Sequence, residues 1–74
     1  MEITIRLYAS LRYGRPGIQQ LSYHAPKPIA AIAADLGIAP QDIGIVLVDG
    51  VHAPADLMLT ENATVSLMPR IGGG

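Results

Sequence analysis

Three consecutive glycines end the sequence, in the segment MPRIGGG (68–74), and these are the residues most suggestive of chemistry. Glycine loses more backbone entropy on ordering than any other residue and has no side chain to pack, so the run adds nothing to a core. Without Cβ atoms, Gly72, Gly73 and Gly74 can pass through a channel too narrow for other residues. The reactive group that they carry is the terminal carboxylate of Gly74, so the segment predicts an arm that delivers this carboxylate to another protein.

The predicted arm follows directly on an apolar, strand-like segment. Residues 70–74 can reach at most ~17 Å beyond Pro69 when extended. A frayed terminus is the ordinary alternative for a chain end, but fraying does not require three glycines. We therefore predict a folded domain over 1–69 and a flexible C-terminal glycine tail over 70–74.

The remaining side chains do not suggest a catalytic or metal-binding site. Cysteine is absent, which excludes disulfides, thiolate metal sites and cysteine nucleophiles. His24 and His52 lack a second metal ligand at a useful spacing, and we interpret them as solvated loop residues. The serines have no neighbouring base in the sequence. The sequence therefore predicts no catalytic side chains of its own, no metal and no bound cofactor.

Charge and composition narrow the class of protein. The 74 residues are 50% hydrophobic and 15% charged, with a formal net charge of -1, which predicts one folded domain. Positive residues are dispersed among acidic ones, so nucleic-acid binding is not expected. No apolar run reaches the roughly 18 residues of a membrane span, and MEITIRLYAS does not read as a secretory signal. We expect a soluble, cytoplasmic protein. Arg12 and Arg15 could form a patch that binds an acidic partner, but we favour solvated loop charges.

The segments before residue 37 predict a hairpin followed by a helix. Polar and apolar residues alternate over 2–8, and a turn at YGRPG (13–17) leads to a second, weaker alternation through Leu21 and Tyr23. Apolar residues then recur at helical spacing, which predicts a helix over 28–36 with Pro28 at its first position and Gly37 as a left-handed C-cap.

The remaining segments predict two further strands. GIVLVDGV (44–51) ends at Asp49-Gly50, the dipeptide typical of a type I′ turn. Leu57 and Leu59 are expected in a loop or short helical turn. ATVSLMP (63–69) alternates, with Val65 and Leu67 inward and Met68 outward. The fold class is therefore α+β, a mixed four- to five-stranded sheet with one helix across one face. The predicted core comprises Ile3, Ile5, Leu7, Leu21, Ile29, Ile32, Leu36, Val65 and Leu67.

The order of four segments resembles a known family along the whole chain. RLYASLR, AAIAADLGI, VLVDGV and TVSLMPRIGGG are together similar to the ubiquitin-like β-grasp sulfur carriers, represented by the small subunit of molybdopterin synthase and the thiamine-pathway sulfur carrier. In this resemblance the family's final Gly-Gly falls on Gly73 and Gly74. YASLR is more similar to the molybdopterin branch, whereas Tyr13 and Arg70 stand where that family has an acidic and an apolar residue.

The resemblance implies chemistry on the carboxylate of Gly74, with Gly73 beside it. An E1-like adenylyltransferase would consume ATP to adenylate the carboxylate, and a sulfur donor would displace AMP. The resulting thiocarboxylate would pass sulfur to an acceptor enzyme, a molybdopterin synthase large subunit or a thiazole synthase type. The predicted partner-binding residues are Met68, Pro69, Arg70, Ile71 and Gly72.

Two other classes fit the same residues. A ubiquitin-like protein modifier would join Gly74 to a lysine of a target, so only the acceptor would differ. A plain β-grasp interaction module would bind partners through its sheet, with no chemistry at the tail. Deleting Gly73 and Gly74 would abolish carrier and modifier activity but spare such a module.

Overall fold

Strands dominate the part of the chain that the computed structural model describes, residues 1–70. The strands are β1 (Glu2–Leu7), β2 (Ile18–Ser22), β3 (Lys27–Pro28), β4 (Ile43–Val48), β5 (Val51–His52), β6 (Met58–Leu59) and β7 (Ala63–Pro69). The helix α1 spans Ile29–Asp35, and 3₁₀ turns span Ala9–Arg12 and Pro40–Asp42. Nothing helical within this range has the length and apolar character that a bilayer crossing requires.

The main sheet has the strand order β2-β1-β7-β4-β5. The first and last strands, β1 and β7, lie parallel at its centre, and the other pairs are antiparallel. Strands β3 and β6 form a separate two-residue antiparallel pair. This is the predicted mixed sheet with one helix across one face, a β-grasp arrangement, and the predicted hairpin of β1 and β2 is confirmed.

The core lies between the main sheet and α1. Ile3, Ile5, Val65 and Leu67 of the two central strands are fully inaccessible, as the alternation predicted. Other buried residues are Leu7, Leu11, Ile29, Ile32, Ala33, Ile38, Ile43, Val46 and Leu59. Leu21 and Leu36 were expected in the core but are only partly buried at its border. Leu21 lies on the edge strand β2, so it has neighbours on one side only.

Helix α1 is one residue shorter at each end than predicted. Pro28 is extended, with φ -70° and ψ 146°, because it pairs with Met58 in the small sheet, so it is the N-cap residue rather than the first helical one. At the other end Gly37 has φ +77°. Its N–H donates to the carbonyl of Ala34, and the N–H of Ile38 donates to that of Ala33. These two bonds form a Schellman motif, and the predicted glycine cap is confirmed.

Two loop predictions have different outcomes. Asp49 and Gly50 both have positive φ, 49° and 84°, so the predicted type I′ turn joins β4 to β5. The expectation of a loop or helical turn at Leu59 was wrong, because this residue lies in β6 and is buried. A two-residue strand has no periodicity to detect, and its pairing with β3 spans about half of the chain.

Candidate functional site

The candidate site is the end of β7, from which the predicted tail departs. Met68 and Pro69 are the last residues of this strand and are partly buried, whereas Arg70 follows it and is exposed. Ile71, Gly72, Gly73 and Gly74 lie outside the described residues. The structure therefore gives the base of the tail and the surface around it.

The base of the tail is held in a fixed position by strand pairing. Strand β7 lies between β1 and β4, and its inward side chains, Val65 and Leu67, are fully buried. The N–H of Tyr8 donates to the carbonyl of Leu67 at 3.2 Å, which extends the parallel pairing beyond β1. Ile43 pairs with Pro69 on the other side. The backbone at Pro69, where the predicted tail begins, is therefore held by a strand on each side.

Gly44 is part of this base, a role that we did not predict. The register between β4 and β7 shifts between Ile43 and Ile45, so Gly44 occupies a bulge. A Cβ at this position would lie 2.6 Å from the carbonyl oxygen of Pro69 and 2.9 Å from the Cα of Arg70. Only glycine lets the backbone at the start of the tail pass this closely. A glycine inside the β-branched run IGIVLV was the available sequence signal.

Apolar side chains lie on the outward side of the sheet next to the end of β7. We call these residues, Tyr8, Ile45, Leu47 and Met68, the apolar strip. We call the sheet face opposite α1 the outer face. On it, Met68 is paired with Ile45, and two residues further along β4, Leu47 is paired with Ser66. Met68, Ile45 and Leu47 are each partly buried, and Tyr8, which precedes the first 3₁₀ turn, is 37% exposed. The predicted outward orientation of Met68 fits this register.

A groove of about 400 Å³ lies beside Pro69 and Arg70. Leu11 and Ile38 contribute its apolar part. Its polar lining comprises Ser10, Arg15, Gln41, Asp42 and Arg70. The groove therefore carries charges of both signs next to the base of the tail.

Arg15 supports the wall of this groove. Its guanidinium donates to three carbonyl oxygens, those of Leu36 at 2.9 Å, Gly37 at 2.9 Å and Leu11 at 3.2 Å. A positive group is also favoured at the negative end of a helix dipole. The interpretation of Arg15 as a solvated loop charge was wrong, because its side chain ties the β1–β2 loop to the C-terminus of α1.

A cluster of titratable side chains, Tyr23, Lys27 and Asp35, lies beside the helix. Tyr23 donates its phenolic hydrogen to Asp35 at 2.9 Å, and Lys27 lies 3.5 Å from the same carboxylate and 4.8 Å from the centre of the Tyr23 ring. Burial, followed by the hydrogen bond and the charge of Asp35, raises the pKa of Tyr23 to about 12. These contacts join the end of β2 to α1.

Histidines do not join the candidate site. His24 is exposed in the segment before β3, and His52 is exposed in β5. Within residues 1–70 no group of three histidine, aspartate or glutamate side chains converges on a possible metal position. What the described arrangement offers is a buried strand end at Pro69, an apolar strip and arginine side chains.

Comparison with known proteins identifies the fold. No protein-family model and no curated protein matches the sequence. Among solved structures, SAMP1 from Haloferax volcanii is similar over the whole of both chains, with a TM-score of 0.70 and 19% sequence identity. At this identity the similarity shows the fold, which is the ubiquitin-like β-grasp. The resemblance inferred from the sequence is thus supported at the level of fold.

Proposed function

We propose that this protein is a ubiquitin-like carrier whose Gly74 carboxylate is activated by an E1-like enzyme and then receives sulfur. One observation carries the proposal: a buried central strand ends at Pro69, and its exit is fixed by the close approach to Gly44, directly before the glycine segment. Such a base fixes the origin of the tail, so that docking of the domain brings Gly74 within the ~17 Å that residues 70–74 can span. The fold shared with SAMP1 from Haloferax volcanii supports a carrier or modifier kind of function.

The proposed reaction takes place at the carboxylate of Gly74. A carboxylate oxygen attacks the α-phosphorus of ATP in the partner enzyme, and pyrophosphate leaves. A donor of sulfide-level sulfur then attacks the carbonyl carbon and expels AMP, which leaves a thiocarboxylate. The carrier supplies no catalytic side chain and binds no cofactor in this scheme, because the activating enzyme holds and consumes ATP.

The finer proposal names molybdopterin as the product of sulfur transfer. The segment YASLR in the 3₁₀ turn region is the basis for this choice, and the acceptor would be a molybdopterin synthase large subunit in the cytoplasm. A thiazole synthase type of acceptor is the alternative within sulfur carriers. Assay of both acceptors with the same thiocarboxylated protein distinguishes them.

Activation is tested with an E1-like adenylyltransferase from the same host, ATP and a sulfur donor, with the intact mass of the protein as readout. We expect a thiocarboxylate on the parent and little on Gly73→Val, because a branched side chain restricts φ and widens the tail. A chain extended by one residue beyond Gly74 should not react, since its reactive carboxylate becomes a peptide bond. Equal modification of all three proteins would exclude the proposal, as would an unmodified parent with a competent enzyme.

Met68 is proposed to contact the partner enzymes, together with Pro69, Arg70, Ile71 and Gly72. Methionine adapts to different surfaces, and Met68 belongs to the apolar strip of the outer face. Changing Met68 to Asp should raise the KM for the carrier in the activation assay while the thermal midpoint changes little. Thr64→Asp, on the same face but near the start of β7, is the matched control. An unchanged KM for Met68→Asp would place the interface elsewhere.

A further inference from the structure

Arginines are concentrated at the end of the sheet from which the tail departs. We call this region the positive end; its members are Arg6, Arg12, Arg15 and Arg70. The remaining cation, Lys27, lies at the small sheet and pairs with Asp35. Four of the five lysine and arginine side chains of a chain with a net charge of -1 therefore lie at this end of the sheet.

Most carboxylates lie away from the positive end. Glu2, Asp49 and Glu61 are at the opposite end of the main sheet, near the start of β7, where the Asp49 carboxylate accepts the N–H of Thr64. Asp56 lies between Ala55 and Leu57, and the carbonyl oxygens of these two neighbours accept the N–H groups of the first turn of α1. Asp42 lines the groove near Arg70, and Asp35 lies at the C-terminus of α1, where it pairs with Lys27.

Two of these arginines share a small hollow on the outer face. The hollow has a volume of about 170 Å³ and is lined by Arg6, Leu7, Tyr8, Arg12, Gly17 and Ile18. Within residues 1–70, no carboxylate contributes to this lining. Within residues 1–70, neither Arg6 nor Arg12 forms an ion pair or a side-chain hydrogen bond, and both are exposed.

The absence of a side chain at Gly17 leaves room for the Arg12 side chain. A Cβ at Gly17 would lie 2.9 Å from Nε and 3.3 Å from Cζ of Arg12, so the guanidinium rests against the glycine backbone. Gly17 is itself fixed, because its carbonyl accepts the N–H of Leu7 at 2.8 Å. The guanidinium of Arg12 therefore lies over Gly17 in the hollow that Arg6 also lines.

The hollow continues into the apolar strip. One row of paired residues crosses the outer face from Ile18 through Arg6, Ser66 and Leu47 to His52. Tyr8 and Met68 lie on the tail side of this row. An apolar strip with a positive rim fits a protein surface that has an apolar centre and a negative rim.

We propose that the hollow formed by Arg6 and Arg12 receives a carboxylate side chain from the enzyme that takes the tail. This inference rests on the proposed function and adds the chemistry of its partner: carboxylates beside the entrance of the tail channel. The tail starts at the same end of the sheet and reaches at most ~17 Å, so a partner seated here can hold both the domain and Gly74. A long polyanion fits less well, since the acidic residues at the opposite end would repel it.

The first test measures the KM for the carrier in the activation assay. We expect Arg6→Gln with Arg12→Gln to raise KM roughly three- to tenfold, the effect of losing two partly screened ion pairs, with kcat unchanged. The increase should be smaller at high salt. Lys27→Gln, which removes one charge from the other side of the molecule, is the control and should leave KM unchanged. A double variant with the KM of the parent overturns the inference.

Gly17→Ala tests the placement of Arg12 without changing any charge. The added methyl group must displace the guanidinium, so KM should rise toward the value of Arg12→Gln. In a protein that already carries Arg12→Gln, the same substitution should have no further effect. Additive effects of the two substitutions would show that Gly17 acts independently of Arg12. They would contradict the proposed role of Gly17 in positioning the Arg12 guanidinium.

An independent measurement separates failure of this inference from failure of the proposed function. The ¹⁵N-labelled protein is titrated by NMR with a blocked oligoglutamate peptide, and with oligoglutamine as control. We expect saturable shifts at the Arg6 and Arg12 Nε–H groups and at the amides of Gly17 and Ile18, absent in the double variant. Shifts spread equally over all cationic side chains, or a stronger response to inorganic phosphate, overturn the carboxylate assignment whether or not Gly74 is activated.

Discussion

At the scale of single residues, Arg15 shows how one side chain can organise the surroundings of the tail. Its three hydrogen bonds connect the segment after β1 with the end of α1. Arg15 and its partner Leu36 are 21 residues apart in the sequence. The planar guanidinium satisfies carbonyl groups that a helix end leaves without intrahelical partners. The groove beside Arg70 depends on this connection, because Arg15, Leu11 and Ile38 all line it.

We expect Arg15→Ala to lower the free energy of unfolding by about 1–3 kcal/mol, because three carbonyl groups lose a charged donor. Urea denaturation measures this change. Arg12→Ala is the matched control and should change stability by less than about 0.5 kcal/mol, as is usual for exposed positions. Arg15→Lys should restore only part of the loss, since an ammonium group cannot reproduce the fork. Equal stability of Arg15→Ala and the parent would contradict the assigned role.

Tyr23 should make stability depend on pH in alkaline solution. Its pKa is raised from 10.0 to about 12 in the folded protein, so above about pH 10 the unfolded chain binds fewer protons than the folded one. The stabilisation is fully present below this range and is lost as the pH rises toward 12. Urea unfolding at several alkaline pH values should show a steeper decline for the parent than for Tyr23→Phe. Identical pH profiles would contradict a raised pKa of Tyr23 in the folded protein.

At the scale of elements, the close approach of β4 to the end of β7 fixes the start of the tail. We expect Gly44→Ala to cost about 1–3 kcal/mol, because a methyl group 2.6 Å from the Pro69 oxygen must push one backbone away from the other. Gly17→Ala is the control, since the added methyl group there meets only the movable side chain of Arg12. Urea denaturation and the amide NMR signal of Arg70 are the measurements. An unshifted Arg70 signal with parent stability would show that the bulge does not hold the tail.

The sequence predicted those elements whose pattern is local. Alternation located β1 and β7, and Asp49-Gly50 and Gly37 marked a turn and a helix end, since each depends on neighbouring residues. The pairing of β3 with β6 was missed because two-residue strands have no period. Arg15 and Gly44 were missed for a related reason: their partners, Leu36 and Pro69, are distant in the sequence, and no local pattern indicates such contacts.

At the scale of the whole molecule, the fold places the origin of the tail, an apolar strip and most of the positive charge at one end. The first and last strands are adjacent and parallel, so Arg6 at the end of β1 and Arg70 after β7 reach the same region. Arginines dispersed in the sequence thus become neighbours in space. The folded chain is therefore asymmetric in charge, although its charged residues are evenly distributed along the sequence.

The intact mass of the protein from its own host shows whether Gly74 carries sulfur. We predict a fraction of chains in which sulfur replaces one oxygen at Gly74, located by fragmentation of the C-terminal peptide. Treatment with a thiol-alkylating reagent should label this end, which is informative because the chain has no cysteine. The opposite result would be that every free chain carries an unmodified Gly74 carboxylate and that all other chains are joined to lysines of other proteins. This result would contradict the carrier function and identify a modifier.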